Sequence, residues 1–115
     1  MIIDRIDPIA LRLPINRPAG TDALYLVLCK VTVRSGVVGY GECLCLRPAM
    51  QQSLVAAMRD AIAPLFLGKS VEQRERLNVE ARIRLASFGR AGTNLNALAA
   101  IDMALWDIEI GRAHV

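Results

Sequence analysis

The stretch Ala97–Ile108, ALAAIDMALWDI, decides how the rest of the chain is read. Leu98, Ile101, Leu105 and Ile108 recur at helical spacing, and Ala97, Ala100, Met103 and Ala104 make the remaining faces apolar too. A helix apolar nearly all round is buried on more than one side. Asp102 and Trp106, four apart, are its only large polar handle. This helix therefore asks for neighbours in several directions. After Ile108 the pattern stops, and Glu109–Val115, EIGRAHV, reads as an unrelated tail.

Working back from that helix, two more appear. Leu54, Ala57, Met58, Ala61, Ile62 and Leu65 form an amphipathic stripe, entered at Pro48 and ended by Pro64 with Gly68. Ser70-x-x-Gln73 has the form of a capping box opening a second helix, with the stripe Leu77, Ala81, Leu85 and Phe88. Gly89 and Gly92 break the chain, and Thr93 is placed to cap the third helix. Before residue 47 the period is that of strands. Ile3, Ile9, Leu11 and Leu13 occupy odd positions of a first extended segment, interrupted near Pro8. Leu24–Val33 is apolar on both faces at its start, as a central strand would be. Arg34-Ser35-Gly36 turns the chain, and Val37–Leu46 returns. The fold class expected is α+β, a three-stranded antiparallel meander followed by a helical bundle.

Composition narrows the function classes. A chain of 115 residues builds one domain. Its 54% hydrophobic content fits either an alanine-rich core or a face made to be covered by a partner. No window approaches the roughly 18 uninterrupted apolar residues of a membrane span, so no membrane partner is expected. Net charge is +3, but Arg74, Arg76, Arg82 and Arg84 are interspersed with Glu72, Glu75 and Glu80. Glu72 with Arg76 and Glu80 with Arg84 have the spacing of helical ion pairs, the mark of a solvated face. With few aromatics beside them, these residues make no nucleic-acid surface.

Cys29, Cys43 and Cys45 have no zinc-site spacing. Cys43 and Cys45 share a strand face as small packing residues, a Cys-x-Cys metal or redox role being the other reading. Asp4 and Arg5 interrupt the first apolar run, unlike a secretory leader, and a reducing cytoplasm is expected. Catalytic constellations are missing. His114 is the single histidine, so no Cys–His or Ser–His–Asp set can form. Gly36, Gly39 and Gly41 lie in a hairpin rather than a phosphate-binding turn. Asp102 and Asp107, five apart, point to different sides of their helix and cannot share a metal. No catalytic or metal residue is assigned.

Three stretches in order resemble the N-terminal capping domain of the enolase superfamily, in the mandelate racemase and muconate lactonizing enzyme branch. LRLPINRP resembles its first strand running into a loop, and VVGYGE (Val37–Glu42) its glycine-acid hairpin strand. ALAAIDMALWDI resembles its signature helix, which normally continues with a small residue, glycine and lysine. The likeness spans Met1–Ile108 and fails abruptly at Ile110, where glycine or alanine would stand. One encoding of EIGRAHV resembles, from its second base, a common short-read sequencing adapter. The expectation is a capping domain over residues 1–108, a non-native tail over 109–115, and a (β/α) barrel that is missing.

The resemblance implies a parent enzyme in which barrel carboxylates bind Mg²⁺ and a barrel lysine or histidine removes the proton α to a carboxylate. The reaction class would be isomerase or lyase: racemization, cycloisomerization or acid-sugar dehydration. The implied partners are a small carboxylate substrate, the barrel itself and further copies in a homo-oligomer. The ligands of Mg²⁺ lie outside this chain, so the fragment would bind none and be inactive. The cap would close the site and select substrate through two loops, Leu13–Ala23 and Cys43–Met50. Arg17 could meet a substrate oxygen or carboxylate and Thr21 hydrogen-bond to it, or both could face solvent. Leu44 and Leu46 could form an apolar lid or pack in the core, and Arg47 could face solvent or substrate. The alternative is a self-contained α+β binding or dimerization module without catalysis.

Overall fold

A computed structural model describes residues 1–15, 23–45, 47–88 and 92–113. Strands β1 (Ile3–Pro14), β2 (Ala23–Val33) and β3 (Val38–Cys45) form an antiparallel sheet in the order β1-β2-β3. Helices follow: α1 (Pro48–Ala56), widening into a π turn over Ala57–Ile62 and tightening over Ala63–Leu65; α2 (Arg74–Arg84); and α3 (Thr93–Ala113). The meander followed by helices is the expected architecture.

One sheet face is the core. Val27, Cys29, Val31 and Val33 of β2 alternate inward and are fully buried. They meet Met58, Ile62 and Phe66 from the first helical run, Leu77 and Ala81 from α2, and Leu98, Ile101, Leu105 and Ile108 from α3. Cys45 and Cys43 face the same side, Cys45 buried and Cys43 partly so, as small packing residues should. Pro48 sits in the first turn of α1, and Gly68 ends the run at φ 80°.

Four local expectations are corrected. β1 is continuous through Pro8, and its irregularity is a bulge between Ile3 and Arg5. A one-residue slip turns every later side chain to the other face. Ile3 and Ile6 therefore enter the core, while Ile9, Leu11 and Leu13 line the outer face. Ser70 forms no capping box, for its hydroxyl donates to Glu72 and a short 3-10 turn precedes α2. Its neighbours are recruited by the N-terminus instead: Ile3 N–H bonds to the Lys69 carbonyl at 2.8 Å and Val71 N–H to that of Met1 at 2.8 Å. Glu72 completes this latch by accepting from the Met1 ammonium at 2.9 Å. Thr93 is the first helical residue of α3 rather than its cap, and Asn96 N–H bonds to the Gly92 carbonyl. On α2, Glu80 pairs with Arg76 at 3.5 Å.

The third helix also runs past Ile108 to Ala113. Glu109 is held there by an ion pair with Arg74 at 2.5 Å. The Arg74 guanidinium lies 3.7 Å from the Trp106 ring centroid, a cation–π contact between α2 and α3. Burial raises the Asp102 carboxyl above its ordinary value although Arg74 and Arg82 pull it down.

Along β3, α3 runs antiparallel at backbone contact. A side chain on Gly41 would overlap the Ala100 carbonyl, and one on Gly39 the Ala104 carbonyl and the Ile108 side chain. The sheet edge is closed from the same helix. Tyr40 N–H donates to Asp107 at 2.8 Å, and Glu42 N–H to the Met103 sulfur at 3.4 Å. An edge strand so capped offers no template for pairing. The last turns of α3 therefore lie beside the Arg34–Gly36 turn, and the two loops emerge at the opposite end of the sheet.

Candidate functional site

The loop-bearing end of the sheet is built from the strand termini. Leu13 pairs with Leu24 and Pro14 with Ala23, so the first loop springs from a closed ladder. Arg17 and Thr21 lie outside the described residues, as does Leu46. The second loop is shorter than the Cys43–Met50 expected, because Cys43–Cys45 belong to β3 and Pro48 opens α1. Only Leu46 and Arg47 connect them.

Arg47 is extended, φ −145° and ψ 154°, and it is the residue preceding α1. The following proline imposes that conformation by excluding the helical region. Its side chain is exposed at the lip of this end. Leu44 is 61% exposed on the outer sheet face, in one cross-strand row with Leu26 and Leu11. It packs in no core. Leu13, Leu24, Ile9 and Leu28 extend the apolar surface around it; Glu42 completes the Ile9–Leu28 row, and the next row toward the turn carries Asp7, Lys30 and Tyr40. The outer face is thus apolar beside the loops and polar away from them.

One polar residue at this end carried no signal in the sequence. Gln51, in the first turns of α1, donates from its side-chain nitrogen to the Leu11 and Leu26 carbonyls, each at 2.9 Å. Nothing in the spacing distinguishes it from the adjacent Gln52. The groove beside it, about 270 Å³, is lined by Ala10, Gln51, Gln52, Val55, Ala56 and Arg59.

Among the described residues no group of three His, Cys, Asp or Glu side chains sits together as a metal would require. The cysteines do not supply a nucleophile. Burial pushes the Cys29 thiol up to about 12, and burial likewise raises Cys43 and Cys45. A protonated thiol is a poor nucleophile and a poor ligand. What remains at this end is an apolar patch and an exposed cation on two loop roots. Such groups can cover and select a ligand.

The family model for the mandelate racemase/muconate lactonizing enzyme N-terminal domain matches residues 4–115. The chain belongs to this family. Its domain is 36% identical over 83 residues to D-galactarolactone cycloisomerase of Agrobacterium fabrum, covering 72% of this chain and 21% of that enzyme. A racemase from Streptomyces coelicolor A3(2) with bound magnesium superposes with a TM-score of 0.87 at 23% identity. That match covers 97% of this chain and 33% of the other. L-talarate dehydratase from Polaromonas sp. JS666, complexed with Mg and L-glucarate, superposes with a TM-score of 0.83 at 24% identity, covering 97% and 32%. At these identities the superpositions establish the shared fold. The chain spans about a fifth of the cycloisomerase and about a third of the two solved structures. No helix among the described residues is long and apolar enough to cross a membrane.

Proposed function

We propose that this domain is the substrate-capping and specificity element of a Mg²⁺-dependent enzyme that removes the proton α to a carboxylate. Racemization, cycloisomerization and acid-sugar dehydration are the candidate outcomes. The observation that carries this reading is the segregation of the domain. Its loop-bearing end presents Leu44 and Arg47 outward, while its described residues hold no metal cluster and no reactive thiol. On this reading the ligands of Mg²⁺ and the base would lie in a barrel outside these 115 residues. The magnesium and L-glucarate in the dehydratase support a carboxylate as the ligand under the cap.

The cap's own chemistry is binding and exclusion. Leu44, with the surface of Leu11 and Leu26 behind it, would cover the ligand and expel water, which strengthens the electrostatics beneath. Arg47 would pair with a carboxylate or hydroxyl of the substrate, and Arg17 and Thr21 would do the same from the first loop. Oligomerization of the full enzyme belongs to this proposal too.

The test is to assay the domain together with its barrel against acid sugars, their lactones and small carboxylates carrying an α proton. Arg47→Leu should lower kcat/KM for the preferred substrate by about tenfold or more, the loss of one charge-assisted hydrogen bond. The 115-residue chain alone should turn over none of them. Unchanged kcat/KM in Arg47→Leu and Leu44→Ser together would overturn the assignment of the second loop. A barrel-bearing enzyme inactive on every α-proton carboxylate would overturn the reaction class.

A further inference from the structure

Gln51 reaches the second loop and both strands that carry the first. Its backbone N–H donates to the Arg47 carbonyl at 3.1 Å, closing the first turn of α1 on the second loop. Its side chain runs the other way, into the sheet, where Nε2 donates to Leu11 and Leu26. These two are cross-strand partners, three residues before Pro14 and three after Ala23, the ends from which the first loop springs. A primary amide has two hydrogens, and here each strand receives one. A carbonyl has two lone pairs, so both can accept from Gln51 in addition to the ladder.

We propose that Gln51 is a positioning residue that joins the two specificity loops into one body, a role resting on the capping function proposed above. A side chain bonded to one strand alone would tie α1 to that strand only. Bonded to both, and rooted in the helix that begins at Pro48, it fixes the distance between the first loop's base and the second loop's exit. A ligand that displaces Arg47 then draws on the roots of the first loop as well. The chemistry is specific to a neutral amide. Leucine fills the same space and donates nothing, and an ionised glutamate turns two oxygens toward two carbonyl oxygens.

Hydrogen exchange of the 115-residue chain tests this without any substrate. In Gln51→Leu, amides at 12–13 and 23–26 should exchange about tenfold faster, while those of Val31, Val33 and Leu105 keep their native rates. Gln51→Glu should loosen the same amides at neutral pH. It should recover part of their protection, relative to intrinsic rates, as acid protonates the carboxyl and restores one donor. Recovery of that kind requires a donated hydrogen and would not follow from packing. Native rates at the loop roots in both variants would overturn the proposal. So would acceleration spread equally into the core, which would make Gln51 a contributor to global stability alone. Because no turnover is read, the joint can fail while the capping function stands, and the reverse.

Discussion

At Gly39–Glu42, β3 lies flat against α3; beyond it, Leu44 and Arg47 hold their side chains in solvent. The first region is shut on its helix side and along its edge N–H groups. Its glycines admit the helix backbone, and Asp107 and Met103 take the edge N–H groups of Tyr40 and Glu42. The second presents apolar and cationic side chains to whatever lies above the sheet end. β3 is thus secured against α3 at one end and exposed at Leu44 toward the other.

The comparison breaks most readily at Gly41. Gly41→Ala places a methyl group against the Ala100 carbonyl, which cannot move without the helix. Urea unfolding should show a loss of about 3 kcal/mol, the upper range for overpacking. A loss below about 1 kcal/mol would mean that α3 is not in contact there. Asp107→Ala removes the Tyr40 cap at an exposed edge and should cost about 1 kcal/mol in the same assay.

The N-terminal latch gives a smaller, pH-dependent effect. The Ser70 hydroxyl and then the Met1 ammonium hold the Glu72 carboxyl down to about 2, from an ordinary 4.5. A depressed carboxyl stabilises the fold above its unfolded value and loses that contribution as pH falls. Stability should therefore drop between pH 4.5 and 2, and Glu72→Gln should flatten that segment of the curve. The group is 40% exposed, so solvent screening limits the effect to less than about 1 kcal/mol. The smallest change is expected at the open end. Leu44→Ala should alter stability by less than about 0.5 kcal/mol, as at other exposed positions, while shifting the substrate preference of the enzyme that contains it. A large loss of stability there would erase the contrast.

The order of elements was legible in the sequence because period-2 and helical patterns are local. So was the burial of Leu98, Ile101, Leu105 and Ile108, and the packing role of Cys43 and Cys45. Contacts between distant segments were not legible. Gly39 and Gly41 were excluded from phosphate binding, yet their reason lies on a helix some sixty residues on, at Ala100 and Ala104. The capping box failed because Ser70 is drawn into pairing with Ile2, a partner at the other end of the chain. The bulge at Ile3 and Arg5 reversed the face of β1 without a glycine to announce it. In the site, the resemblance pointed to the loop of Leu44 and Arg47 and strand alternation to the face of Leu44, and the structure leaves both exposed. Gln51 had no such marker, since its partners are backbone carbonyls that any sequence would supply.

The central claim is that this domain caps a barrel, and the most direct measurement is the source DNA sequence beyond codon 108. The account predicts an open frame continuing with a small residue, glycine and lysine, then strands ending in Asp or Glu and one bearing a lysine or histidine base. A frame that encodes EIGRAHV followed by a stop would contradict it and favour a self-contained binding module.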